Sequence, residues 1–174
     1  VTTMKLWDKG YKIDDAIERF TIGKDKELDL LLAPYDILGT IAHVTMLEHV
    51  GLLSKADLNV LLPALRELYQ EAEAGHFVIE ENIEDVHSQV ELMLTRRLGE
   101  IGKKVHTGRS RNDQVLVDLK LFTRAQIEKT IGLVERLFDV LQARSEETKA
   151  LLMPGYTHLQ VAMPSSFGLW LGAY

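Results

Sequence analysis

Asp113–Lys149, DQVLVDLKLFTRAQIEKTIGLVERLFDVLQARSEETK, is the stretch that decides the fold. It holds no proline, and its only weak spot is Gly132, a residue that lowers helix stability by about 1 kcal/mol relative to alanine. Ile127, Ile131, Val134, Phe138 and Leu141 follow one another at spacings of four, three, four and three, and Val115, Leu119 and Phe122 set the same rhythm earlier. That is the heptad seam of a helix packed almost parallel to long partners. At 1.5 Å per residue the helix runs roughly 55 Å, far longer than the average globular helix. Such a helix cannot cover its own seam, so the sequence calls for a bundle around it. Met153-Pro154-Gly155 is expected to stop it, and a last helix, broken or begun near Pro164, to follow.

Shorter helices are expected upstream. One begins near Pro34, which suits a first helical position, turns Tyr35, Leu38, Ile41, Ala42 and Met46 to one face, and ends at Gly51. Ser54 with Asp57 resembles a capping box and opens a helix carrying Leu58, Leu61, Leu62, Leu65, Leu68 and Ala72 up to Gly75. Asn82 or Glu84 starts a third, with Val86, Val90, Met93 and Leu94 inside. Residues 1–24 read as irregular, with a short amphipathic segment near Ile13–Phe20 and with Trp7 and Phe20 as anchors. No strand pattern survives, since runs such as Phe77-Val78-Ile79 are too short to carry a sheet. The predicted class is all-α: an N-terminal helical domain over residues 1–106, then residues 107–174 as the start of a central bundle of long helices, incomplete within this chain.

The 174 residues suffice for a real core, and 46% hydrophobic with 26% charged is ordinary for a globular protein. A formal net charge of −6 argues against a general nucleic-acid binder. No apolar run has the roughly 18–20 residues of a membrane span, and no signal-peptide pattern opens the chain. With no cysteine there is neither a disulfide framework nor a thiolate metal site, and a cytoplasmic protein is the plain expectation. Val1-Thr2-Thr3 before Met4, and an apolar end at Ser166–Tyr174 without a capping signal, lead to the expectation of a piece of a longer protein.

Just ahead of the long helix lies the most polar stretch, His106-Thr107-Gly108-Arg109-Ser110-Arg111-Asn112-Asp113-Gln114. Arg109 and Arg111 offer planar forks that match carboxylates. Thr107 and Ser110 supply hydroxyls, Asn112 an amide, and His106 a group that changes charge near neutral pH. Gly108 permits close backbone approach or a positive φ, and the helix that starts near Asn112 or Asp113 aims its N-terminal dipole at the same spot. A capped polar loop is the bland alternative. Gly102-Lys103-Lys104 is no phosphate loop, because Arg97 stands where glycine is required and Lys104 where Ser or Thr is. A second polar patch, Pro154-Gly155-Tyr156-Thr157-His158-Leu159-Gln160, follows a proline-glycine turn, which sets Thr157 and His158 at a helix entrance. Asp85 and His87 sit about 200° apart around a helix, so one reaches a site while the other caps or faces solvent. Neither they nor His43, His49 and His76 show a tight ligand spacing, so no metal is expected.

In order and spacing, His106–Gln114 and Pro154–Gln160 resemble the first and second signature regions of argininosuccinate lyase, within the fumarase/aspartase superfamily. Weaker similarity includes Leu6-Trp7 and Glu84-Asp85-Val86-His87. The resemblance implies a cofactor-free lyase of arginine biosynthesis that cleaves argininosuccinate to arginine and fumarate by β-elimination. It implies that Ser110, Arg111 and Asn112 hold substrate carboxylates with help from Thr157, and that His158 is the active-site histidine concerned with proton transfer. His106 and Thr107 would shape the loop or reach the ligand, and Asp85 and His87 would form part of the wall. It further implies a homotetramer whose active sites each draw on three subunits. The family's third signature, a Gly-Ser-Ser loop with the presumed base and a following lysine, has no counterpart within residues 1–174, so this chain alone is expected to be inactive.

The sequence also departs from the family. The usual Leu-Trp-Gly-Gly-Arg-Phe reads Leu6-Trp7-Asp8-Lys9-Gly10-Tyr11, Thr21–Asp25 replaces a polar Asn/Ser segment, and Met163 stands where the second region has an amide. Two other readings are another fumarate-releasing lyase of the superfamily and a non-catalytic helical assembly or storage protein on the same scaffold.

Overall fold

The computed structural model describes Ile17, Phe20, residues 23–81 and residues 83–174. The readings on Trp7, on the segment around Ile13, on Thr21 and Ile22, and on Asn82 as a helix start lie outside the described residues; Phe20 is exposed. The helices are α1 Asp25–Asp29, α2 Ala33–His49, α3 Lys55–Glu73, α4 Val86–Leu98, α5 Glu100–Lys103 and, after a 3₁₀ turn at Lys104–His106, α6 Arg111–Thr148. A hairpin of β1 Leu152–Thr157 and β2 Gln160–Ser166 leads into α7 Phe167–Leu171. The class is all-α with one small two-stranded sheet. By its contacts the chain divides into two units, Val1–Thr123 and Arg124–Tyr174.

In the first unit α2, α3 and α4 share a core of Ile37, Val44, Leu47, Leu58, Leu61, Leu65, Leu68, Val86, Val90 and Leu94, closed by Phe77 and Val105. Local chemistry sets the ends. Pro34 lies in the first turn of α2, and the Ser54 hydroxyl accepts from the Asp57 N–H to start α3. Helix α4 starts later than Glu84: Asp85 is its N-cap, and its carboxylate accepts the Ser88 N–H at 2.6 Å. The inner face of α2 also differs from expectation. Leu38 and Met46 are exposed, whereas Asp36 and Thr40 are buried beside Ala33, Ile37, Val44 and Leu47. The helix is apolar nearly all round, so hydrophobic periodicity could not orient it, and the two polar residues that do face inward argued for the wrong side.

Helix α6 spans 38 residues, about 57 Å, with limits close to those read from the sequence. It ends at Thr148, ahead of Met153-Pro154-Gly155. Ile127, Ile131, Val134 and Phe138 are each more than half exposed, so the heptad seam lies open in the single chain. In the second unit the expectation of no strands fails. Leu152 pairs with Ser166 and Thr157 with Gln160, with an irregularity between Pro154 and Tyr156. Pro154 and Pro164, directly opposite each other, deny this segment a helix, and the turn lacks the Asn-Gly or Asp-Gly signal by which hairpins are read. Ser166 then caps α7, accepting the Leu169 N–H at 3.1 Å. Gly168 lies so close to α6 that a Cβ there would meet the Ser145 carbonyl oxygen at 2.4 Å, and Ser145 Oγ donates to the Gly168 carbonyl at 2.7 Å.

Gly102 has the same role in the first unit: a Cβ on α5 would fall 2.4 Å from the backbone of Leu94 on α4. Gly102→Ala is therefore expected to destabilise that unit by about 1–3 kcal/mol. The midpoint of urea unfolding checks it, and an unchanged midpoint contradicts the close packing.

Candidate functional site

The loop from His106 to Ser110 is shaped by its own sequence. Gly108 has φ +70° with nothing within 4 Å of a Cβ built on it, so the requirement for glycine is conformational. Ser110 and Asp113 close the helix entrance reciprocally. The Ser110 N–H donates to Asp113 Oδ2 at 2.8 Å, and the Asp113 N–H donates to Ser110 Oγ at 3.4 Å. These bonds from Ser110 hold the Asp113 carboxyl below its usual range. The helix thus begins at Arg111, slightly ahead of Asn112. From α2, His43 Nε2 donates to the Thr107 carbonyl at 2.8 Å and pins the loop's start. Burial lowers the pKa of His43, and does the same for His106, with Arg111 adding to the effect there. Both imidazoles are therefore neutral at neutral pH.

The two arginines of the loop take different partners. Arg109 donates to Thr40 Oγ1 at 2.8 Å, while its Nε is buried with no hydrogen-bond partner. Arg111 donates to Ser88 Oγ at 3.2 Å, and its guanidinium is 3.8 Å from Glu91 Oε2. Around them Thr107, Ser110 and Asn112 are exposed at the first turn of α6, where unpaired N–H groups and the helix dipole favour an anion.

Beneath the loop sits a buried polar cluster that sequence reasoning only half found. His87 Nδ1 donates to Asp36 Oδ1 at 2.8 Å and lies 3.7 Å from Asp118 Oδ2, and Gln114 Nε2 donates to Asp36 Oδ1 at 3.2 Å. Asp36, His87 and Asp118 are at most 5% exposed. Burial works against charge on His87, but the bond to Asp36 and the field of Asp36, Asp85 and Asp118 prevail and raise its pKa. Burial, followed by the neighbouring Asp36, pushes Asp118 up to about 7, with His87 and Arg109 pulling the other way. Of six buried side-chain atoms without a partner among the described residues, five belong to Asp36, His106, Arg109, Arg111 and Asp118, so unmet polar demand concentrates here. The donor atoms of Asp36, His87 and Asp118 lie within 4.8 Å of one another, close enough for a divalent ion. The cluster's negative charge, however, is already opposed by His87 and Arg109.

Of the residues singled out in the sequence, His106, Thr107, Ser110, Arg111, Asn112, Asp85 and His87 all belong to the first unit. Asp85 caps α4 and His87 is enclosed, in keeping with their opposite directions. Thr157 and His158 belong to the second unit, at the tip of the hairpin and not at a helix entrance. His158 and Leu159 form its two-residue turn with φ +50° and +65°, a backbone that non-glycine residues seldom adopt. Such strain is most often kept where a side chain must be presented, and all three of Thr157, His158 and Leu159 are exposed. Asp36, Thr40 and Asp118 went unread, because the partners that draw them inward lie on other helices.

Comparison with known proteins adds the following. Residues 10–174 match a protein family described as lyase. The argininosuccinate lyase of Parabacteroides distasonis is 66% identical over 170 residues, 98% of this chain and 38% of that protein. That of Bacteroides fragilis is 65% identical over the same shares, and that of Thermotoga neapolitana 41% identical over 97% of this chain and 42% of its own. This chain thus spans well under half the length of these relatives. A crystal structure of fumarate lyase:delta crystallin from Brucella melitensis superposes with a TM-score of 0.69 over 91% of this chain and 40% of that one, at 16% identity, a likeness of fold.

The raised pKa of Asp118 makes a prediction about stability. The folded state keeps its proton up to about pH 7 while the unfolded chain releases it near the ordinary aspartate value of 3.8, so folding is most favoured by this group below about pH 4. Its contribution is lost as pH rises from about 4 to 7, at up to about 1.4 kcal/mol per pH unit. Asp118→Asn is expected to abolish that slope. Urea unfolding at pH 5 and pH 6.5 checks it, and identical slopes for parent and variant contradict the assignment.

Proposed function

This chain belongs to the lyase family, and from that membership we propose that the protein is an argininosuccinate lyase, cleaving argininosuccinate to arginine and fumarate by β-elimination in arginine biosynthesis. The reading rests on relatives of that name at up to 66% identity and, in the molecule, on one observation: the solvent-facing polar loop and first turn of a 38-residue helix, where Thr107, Ser110 and Asn112 are exposed beside Arg111. The chemistry asks for such a place. A proton must leave a carbon beside a carboxylate, and the intermediate gathers a second negative charge on that group. Fixed donors that meet this charge as it appears lower the barrier more than they tighten substrate binding.

In this reading Ser110, Arg111 and Asn112 grip the substrate's carboxylates, and His106 and Thr107 complete the loop. Asp85 and His87 back it from α4. Thr157 and His158, presented on a strained turn, act at the same centre, His158 in proton transfer directly or by positioning. The two patches come together in a homotetramer through contributions from different subunits, and the exposed seam of Ile127, Ile131, Val134 and Phe138 is the surface on which the copies pack. The protein works in the cytoplasm on a small dicarboxylate, without nucleic acid, cofactor or metal. No helix among the described residues is long and apolar enough to cross a membrane.

Fumarate formation, followed by ultraviolet absorbance with the full-length protein, tests the assignment. It is expected with argininosuccinate and not with adenylosuccinate, malate or aspartate. Asn112→Ala and His158→Asn are each expected to slow it about 100-fold or more with the helical circular-dichroism signal unchanged. A near-parental rate in either variant removes that residue from the mechanism. Turnover of another substrate, or no turnover and no binding, favours a different lyase or a scaffold without activity.

A further inference from the structure

We propose that Asp118, together with Asp36 and His87, is a positioning residue that draws the Arg109 guanidinium inward, so that one arginine of the loop anchors it and Arg111 is left for the ligand. This rests on the function proposed above for the loop, but its structural part is independent of the substrate.

Three helices converge on the point. Asp36 and Thr40 lie four apart on α2, Gln114 and Asp118 four apart on α6, and so each pair occupies one face. His87 comes from α4. Asp36 and Asp118 are both 1% exposed, and an ionised pair so deep requires nearby cations. His87 supplies one, at 2.8 Å from Asp36 and 3.7 Å from Asp118. With both carboxylates ionised a second cation is required, and Arg109 provides it. Its guanidinium donates to Thr40 Oγ1 one turn beyond Asp36, and it lies within the field of both carboxylates. Asp85 acts on His87 and Asp29 on Asp118, both negative, which strengthens the demand, while Arg111 and Glu91 act on Arg109 with opposite signs. Arg111 sits farther out: its side chain is 23% exposed, it touches the cluster only through Gln114 at 3.5 Å, and its other partners are Ser88 and the half-buried Glu91. Between the two arginines stands only Ser110, the residue that closes the helix entrance, so fixing Arg109 fixes where Ser110, Arg111 and Asn112 point.

The test uses the full-length protein at pH 8 with Asp118→Asn, which keeps shape and removes charge, and Thr40→Val, which keeps shape and removes the hydroxyl. Amide hydrogen exchange of the peptide covering residues 104–114 is expected to quicken tenfold or more in Asp118→Asn and by a smaller factor in Thr40→Val, with α3 unchanged. The KM for argininosuccinate is expected to rise by a larger factor than kcat falls. Unchanged loop exchange in both variants overturns the proposal, as does acceleration spread evenly over α2, α3 and α4. An equivalent of divalent metal retained by the parent and lost in Asp118→Asn also overturns it, since the cluster would then be a metal site. If the parent itself makes no fumarate, the function reading fails while the exchange comparison still decides this one.

Discussion

The hydrogen bond from His87 to Asp36, closed over by Asp118, is the contact on which the functional end of the first unit depends. It joins α2, α4 and α6 at a depth where water cannot replace any member. Removing one partner would leave the others buried and unpaired, a loss of several kcal/mol in comparable networks. Its electrostatics extend outward through Arg109 and Gln114 into the loop that opens α6. An apolar cluster would have packed the same helices together, but it would not have specified where a cationic loop comes to rest.

Above that contact the loop is built from short-range devices that need nothing remote. Gly108 takes a conformation other residues resist, Ser110 and Asp113 cap one another, and His43 holds the Thr107 carbonyl. They leave the exposed hydroxyls and amide of Thr107, Ser110 and Asn112 beside a helix dipole. The proposed elimination makes use of this division between a buried layer that fixes geometry and an outer layer that meets the anion. In the second unit the same economy appears in another form: a two-residue turn at His158 and Leu159 with both φ positive, held by the pairing of Thr157 with Gln160.

Much of this was legible in the sequence where a single strong rule governs. The long helix was set by an unbroken heptad rhythm, α3 by its Ser54 cap and leucine face, and the loop by an order of polar residues that resembles a known signature. The failures share a cause. Asp36 and Thr40 face inward because their partners lie far along the chain, His87 and Gln114 at 51 and 78 residues from Asp36 and Arg109 at 69 from Thr40, and no local pattern carries that information. The hairpin escaped notice because its turn is formed by His158 and Leu159, residues whose intrinsic preferences oppose it. The inner face of α2 was misjudged because polarity there marks the site and not the surface.

The most direct measurement of the central claim is a crystal structure of the full-length protein, slowed by His158→Asn, with argininosuccinate bound. The account predicts substrate carboxylate oxygens about 2.7–3.2 Å from Ser110, Arg111 and Asn112, with Arg109 still turned onto Thr40. Substrate held by Arg109, or seated away from the first turn of α6, would contradict it.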